Sequence, residues 1–309
     1  MQKPESIPPP SVRPQGEAHS FAVAEDGTRL FVRSKDDAHA SGSVRAFLCD
    51  GIACDGFIWK YAWNDLAALM PLTHWNYRGH GRSAPPRDPD RLDIAAHADD
   101  LMTVRRHVDD PPAVLFGHSM GCQVALEEYR RHPDKVKGLV LICGTYGKVT
   151  ATFKNTPILD LILPKLVDTV IKHENVARAI WSRIPPEMAL KIALTAGDID
   201  PERIRPEDIL PYLTHMTHID LPMFLKMLRA AGEHSAEDLL PRVKVPTLII
   251  AGERDSFTPP FLAEAMAKAI PDAELLMLER GTHVASIEQH EIVDAKIAEF
   301  LKKRISSAP

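Results

Sequence analysis

A serine hydroxyl is a weak nucleophile until a base takes its proton and a third group orients that base. Three residues of this sequence stand in the chain order Ser, Asp, His that such a relay can use. Ser119 sits in Gly117-His118-Ser119-Met120-Gly121, directly after the apolar run Ala113–Phe116. Where a buried strand gives way at once to a helix, the residue between them is forced through a sharp reversal near positive φ. The flanking glycines remove side chains that would collide across so tight a turn, and the hydroxyl is then presented outward. Asp255 follows the apolar run Thr247–Ala251, and His283 follows Glu274–Leu278. In this reading His283 is the general base of Ser119, and Asp255 holds its imidazole. Glu253 and Asp272 are the rival acids; Glu253 stands nearer its strand end, which predicts a side chain turned from the histidine. Cys143-Gly144-Thr145, after the preceding strand, offers no acid.

These side chains converge only if the elements that carry them end on one edge. Eight strand-like runs are legible: Phe21–Val23, Arg29–Arg33, Val44–Cys49, Thr73–Tyr77, Ala113–Phe116, Lys137–Cys143, Thr247–Ala251 and Glu274–Leu278. Helical spacing appears at Trp59–Leu69, Ile94–Val108, Met120–Arg131, Phe261–Ile270 and Glu291–Leu301. Strands alternating with helices predict an α/β fold with a mainly parallel eight-stranded sheet covered on both faces. Glu25-Asp26-Gly27-Thr28 reads as a hairpin turn, so the first strand pair adds an antiparallel edge. In open sheets of this kind ligands bind beyond the carboxyl ends of the strands. That is the edge on which Ser119, Asp255 and His283 fall.

The alternation stops between residues 148 and 240, which read as helical throughout and are cut by many prolines. We expect a helical cap there, an α/β core over residues 18–147 and 241–304, and a flexible tail over the proline-rich residues 1–17. Composition is that of a globular chain, 45% hydrophobic and 26% charged with a net charge of −5. The negative balance argues against a nucleic-acid partner or an anionic membrane surface. No apolar run approaches the ~18 residues of a spanning helix, and prolines rather than an apolar stretch follow Met1. Together these predict a cytoplasmic protein without a membrane span. Four cysteines in so long a chain predict buried thiols rather than a disulfide framework. Cys122, close to the serine turn, and Cys143, at the end of a strand-like run, are the two that could react with a thiol reagent.

The motif set resembles the α/β-hydrolase fold family, specifically its serine-nucleophile, carboxylesterase- and lipase-like members with a helical lid, over residues 21–301. Besides Gly117–Gly121, Asp255 and His283, the run Tyr77-Arg78-Gly79-His80-Gly81-Arg82-Ser83 is similar to the family's Asp-x-Arg-Gly-x-Gly-x-Ser loop, with Tyr77 where an aspartate often stands. The resemblance implies an oxyanion hole at the backbone amides of Ile52 and Met120. Here the third strand ends Asp50-Gly51, where the family usually carries His-Gly. For a working hydrolase the Asp50 carboxylate must turn away from the oxyanion, and bonding to nearby backbone amides is its expected role.

The implied activity is hydrolysis of a carboxylic ester through an acyl-enzyme on Ser119, with no metal or organic cofactor required. His215-Met216-Thr217-His218 has a spacing that metal sites use, but without a third ligand it reads as lid-surface histidines. Apolar stretches such as Pro157–Pro164 and Phe224–Leu228 point to a small-molecule substrate with a hydrophobic or medium-chain acyl group. A carbon–carbon bond hydrolase, a cofactor-free haloperoxidase or an acyltransferase would use the same three residues. A slow-turnover ligand-binding relative is the alternative from a different class.

Overall fold

The structure, a computed structural model, describes residues 16–36 and 43–305. Most of the expected tail therefore lies outside the described residues, and Glu17 already belongs to the first strand. The strands are β1 (Glu17–Val23), β2 (Arg29–Lys35), β3 (Arg45–Cys49), β4 (Leu72–Trp75), β5 (Ala113–His118), β6 (Val136–Ile142), β7 (Thr247–Gly252) and β8 (Ala273–Leu278). The helices are α1 (Ala62–Ala67), α2 (Ile94–His107), α3 (Met120–Arg131), α4 (Val149–Thr152), α5 (Ile158–Lys172), α6 (Glu174–Trp181), α7 (Pro186–Ala196), α8 (Pro206–His218), α9 (Leu221–Glu233), α10 (Pro260–Ala269), α11 (Ala285–Glu288) and α12 (His290–Phe300).

They form one sheet in the order β1-β2-β4-β3-β5-β6-β7-β8. β2 pairs antiparallel with β1 and with β4, and every pairing from β4 through β8 is parallel. The reason is visible in the pattern of burial. Phe47, Leu115, Leu139, Leu141 and Ile249 join one apolar cluster, and their neighbours Leu48, Val114, Val140 and Ile250 join the other. A strand apolar on both faces is stable only between two covering layers. Leu101, Val124 and Met266 of α2, α3 and α10 close one face, while Trp63, Val293 and Phe300 of α1 and α12 close the other.

The chain leaves β3 for β4 on one side and returns to β5 on the other side of β3. At such a reversal the connections diverge and open a crevice at the carboxyl ends of the two strands. Gly51 after β3 and Ser119 after β5 both stand there.

Between β6 and β7 the chain builds α4 to α9 and two 3-10 turns, Phe153–Asn155 and Glu237–Arg242. The one strand-like feature among the described residues of this insert is an isolated bridge, Gly147 to Ser235. Two of its prolines do not end helices as expected, since Pro164 and Pro211 lie inside α5 and α8. Each removes a backbone hydrogen bond, and anchors such as Leu163 and Val167 of α5 or Ile209 and Leu213 of α8 offset that loss by burial. Conversely, the single helix expected over Trp59–Leu69 is split into a 3-10 turn, Phe57–Trp59, and the short α1. Among the described residues no helix is long and apolar enough to cross a membrane.

Candidate active site

Close backbone approaches set the geometry. Ser119 has φ 54° and ψ −121°, a strained conformation for a residue with a Cβ, at the junction of β5 and α3. A Cβ on Gly117 would come within 2.6 Å of the Cys122 amide nitrogen, and one on Gly121 would overlap the Cys49 carbonyl oxygen. The two glycines therefore let α3 start directly against the end of β3. On the other side, a Cβ on Gly51 would lie 3.1 Å from the Ser119 Cβ. The loop after β3 is thus in contact with the serine.

Two later loops meet it. A Cβ on Gly252 would overlap the Gly281 carbonyl oxygen, and the Arg254 amide donates to that oxygen at 2.8 Å. The loop after β7 and the loop after β8 are locked together by these backbone contacts. His283 Nε2 lies 3.0 Å from Ser119 Oγ, and His283 Nδ1 lies 2.9 Å from Asp255 Oδ2. With Nδ1–H donating to the carboxylate, Nε2 is left as the acceptor for the serine proton. Asp255 is buried and accepts three more hydrogen bonds, from the amides of Phe257 and Thr258 and from the Thr258 hydroxyl, at 2.8–2.9 Å. It keeps one orientation. The rival acids stand elsewhere: Glu253 accepts from the Arg280 amide at 3.0 Å, and Asp272 pairs with Arg304 at 2.6 Å.

Among the described residues, neither the Ile52 nor the Met120 amide donates to a protein acceptor. The next amide, Ala53, donates to His80 Nε2 at 3.2 Å, while His80 Nδ1–H donates to the Arg78 carbonyl at 3.0 Å. Burial pushes the His80 imidazole down to about 4, so it stays a neutral brace under that loop.

Asp50 departs from expectation in its partners. Its buried carboxylate accepts from the Trp59 indole at 2.7 Å and pairs with His74 Nε2 at 2.8 Å, side chains rather than backbone amides. The indole and the imidazole hold this carboxylate in one orientation. Tyr77 is likewise structural, its hydroxyl donating to the Asp50 carbonyl at 2.9 Å. Counting back from Arg78-Gly79, the residue at the loop's aspartate position is Asn76, whose side chain accepts from the Arg82 amide at 3.0 Å. Cys122 and Cys143 are buried and unpaired. Burial pushes the Cys122 thiol up to about 12, which makes it a poor target for thiol reagents, against expectation.

Several supporting residues escaped the sequence reading. His118 Nε2–H donates to the His283 carbonyl at 3.1 Å, tying the serine turn to the histidine loop, and burial pushes its pKa down to about 4. Glu288 accepts from the Thr282 amide and hydroxyl at 3.0 and 2.8 Å and from the Asp200 amide at 2.8 Å. Phe257 stacks on the His283 ring at 4.9 Å and is met edge-on by Phe153 of the insert at 5.1 Å. Thr258, three residues after Asp255, had a readable local signal, since side chains at that spacing close a turn. The others are long-range and had none.

Comparison with known proteins bears on the family and the fold. A family model described as the alpha/beta hydrolase family matches residues 44–295. The chain is similar to a pimeloyl-[acyl-carrier protein] methyl ester esterase of Neisseria meningitidis, 30% identical over 77% of this chain and 84% of the relative. Its fold is similar to that of an esterase from Thermogutta terrifontis, with a TM-score of 0.72 and 24% identity over 93% of this chain and 98% of the other. It is also similar to that of an enol-lactonase from Burkholderia xenovorans, with a TM-score of 0.73 and 20% identity over 92% of this chain and 100% of the other.

Proposed function

The chain belongs to the alpha/beta hydrolase family, and we propose that it is a serine hydrolase cleaving carboxylic esters through an acyl-enzyme on Ser119. Ser119 Oγ attacks the carbonyl carbon as its proton passes to His283 Nε2. Asp255 stabilises the imidazolium that forms, and the Ile52 and Met120 amides donate to the oxyanion. His283 then returns the proton to the departing alcohol. Water repeats the sequence, with His283 as base, and releases the acid. No step calls on a metal or organic cofactor.

The observation that carries this reading is the continuous relay at 2.9 and 3.0 Å, in which the two nitrogens of one imidazole face a carboxylate and a hydroxyl. The name of the Neisseria relatives, which specifies a methyl ester, supports an ester as the bond broken. Residues 148–240 act in this reading as a cap over the core. Their apolar side chains, Met223 against Gly79 among them, favour a hydrophobic or medium-chain acyl group.

The test is labelling with a fluorophosphonate probe together with a series of nitrophenyl esters of increasing acyl length. We expect wild type to label and to turn over, with a maximum at intermediate length, and Ser119→Ala to do neither. Labelling that persists in Ser119→Ala would overturn the nucleophile, and labelling without ester turnover would overturn the esterase reading. A flat length profile would remove the acyl preference alone.

A further inference from the structure

The two histidines of α8 differ in their surroundings. His218 is exposed, and its Nδ1 lies 2.7 Å from the Thr214 carbonyl oxygen of its own helix. His215 has the opposite surroundings. Its side chain is only 9% exposed, and its Nε2 is enclosed with no hydrogen-bond partner. Its Nδ1 stands 3.9 Å from an Asp55 carboxylate oxygen, beyond hydrogen-bond reach. One turn earlier, Tyr212 stacks on Phe57 at 4.3 Å. The His215 ring lies 6.4 Å from the ring of His80, which holds the Ala53 amide. Tyr212 and His215 share one face of α8, by their separation of three residues. That face is seated on the loop 52–57 that leads from the free Ile52 amide.

A buried polar atom without a partner costs roughly 1–3 kcal/mol, so a native protein keeps one for a reason. This one faces the loop that follows β3, through the neighbouring ring of His80. We propose that His215 determines specificity by hydrogen bonding, through Nε2, an uncharged polar group of the bound ester close to its reacting carbonyl. This deepens the esterase reading and rests on it. Burial lowers the affinity of this imidazole for a second proton, so the group is a neutral donor or acceptor. Asp55 and the buried Asp50 would oppose a substrate carboxylate there. The class favoured is therefore an ester bearing a hydroxyl, carbonyl or amide near the reacting centre, rather than a plain alkyl ester or a diacid monoester. Sites built to bond a substrate hydroxyl reject analogues that lack it, because their own polar atoms are then left unpaired.

The experiment measures kcat/KM of the full chain on two matched ester pairs. Methyl 3-hydroxybutyrate against methyl butyrate places the hydroxyl on the acyl side, and 2-hydroxyethyl butyrate against propyl butyrate places it on the alcohol side. Wild type should prefer the hydroxylated member of at least one pair by about 10–100-fold. His215→Phe keeps a flat ring and should abolish that preference, bringing the two members of the pair to within about threefold of each other. His215→Gln, which keeps a polar end, should restore part of it; circular dichroism and melting confirm that both variants fold. The inference is overturned if wild type shows no preference in either pair. It is also overturned if His215→Phe lowers both members of a pair equally, as a structural, water-bridged histidine would. Failure of wild type to cleave any ester overturns the esterase reading and this inference with it. Selective loss in His215→Phe with Ser119-dependent turnover intact separates the two.

Discussion

The rim of the sheet and the helical insert are built on opposite terms. α3 buries nine of its twelve residues and starts against the end of β3 with no room for a methyl group. α6 and α7 bury none of theirs, and Leu161, Val176, Ile180 and Ile192 present more than half of their surface to solvent. The rim holds Ser119, Asp255 and His283 through backbone atoms and through side chains bonded on every side, as Asp255 is. The contacts of the insert with the rim include Phe153 on Phe257, the Lys154 amide on the Ser256 carbonyl, the Ser256 hydroxyl on Asp198, the Asp200 amide on Glu288, Met223 against Gly79, and α8 on the loop 52–57. This difference separates two tasks. Chemistry needs positions fixed to a fraction of an ångström, whereas substrate choice needs a surface that can be altered without moving them.

The largest effect should come from the rim. Asp255→Asn removes the acceptor that fixes the His283 tautomer while preserving shape, and should lower kcat about 10⁴-fold with little change in KM. Steady-state kinetics on the best nitrophenyl ester check this. A loss of less than about tenfold would mean that another acid orients the histidine and that the rim is less rigidly specified than its hydrogen bonds imply.

The second effect tests close packing itself. Gly121→Ala puts a methyl group where the Cys49 carbonyl oxygen already stands. Overpacking against backbone, which cannot rotate away, should cost about 3 kcal/mol. Because the displaced element carries the Met120 amide, turnover should fall by about 10²–10³ as well. Denaturant unfolding and kinetics on the same preparation read both. A stable, active Gly121→Ala would show that the rim gives more easily than proposed.

The same contrast explains what was legible in the sequence. The meeting of Ser119, Asp255 and His283 is legible because each follows a strand whose apolar pattern is strong, and local pattern places strand ends on one edge. The sheet and its covering helices were found for that reason, with the break inside Trp59–Leu69 missed because no proline or glycine marks it. Asp50 was read as bonding backbone amides because its true partners, Trp59 and His74, come from a turn and from a strand that pairing alone brings beside it. His118 and Glu288 act on residues of other loops, which no spacing reveals. Spacing alone cannot say that His215 turns inward while His218 faces solvent.

A smaller effect belongs to the seam between the two regions. Asp294 of α12 is partly buried and faces Asp65 of α1, and burial with that second carboxylate raises its pKa to about 7. Its neighbour His290 stacks on Tyr61, whose hydroxyl donates to Asp208 of the insert at 2.8 Å. A carboxyl with a raised folded pKa binds more protons in the folded state than in the unfolded one. Its contribution is therefore fully present below the unfolded value near 3.8 and is lost as pH rises through about 7. Asp294→Asn removes that loss. Its melting temperature should exceed that of wild type at about pH 8.5 and match it near pH 4. An equal offset at both values would show that the carboxyl titrates normally and that the seam is well solvated.

The smallest effect should come from a glycine of the insert, and it completes the contrast with Gly121. Gly197 ends α7 at φ 74° and ψ 18°, and a Cβ there would meet nothing within 4 Å. Its constraint is conformational alone, where that of Gly121 is spatial. Gly197→Ala should cost about 1 kcal/mol, the penalty of a left-handed residue with a Cβ. Gly197→Asn should cost less, since asparagine tolerates that region. Neither change should alter turnover, because the chain just after this turn is held to the rim by its own bonds, the Ser256 hydroxyl donating to Asp198 at 2.7 Å and the Asp200 amide to Glu288 at 2.8 Å. The outcome that matters is the ratio of the two measurements. If turnover falls in step with stability at Gly197, the insert and the rim move as one body, and substrate choice cannot be altered without disturbing the chemistry. If stability falls alone, the separation of the two tasks holds at the level of a single methyl group.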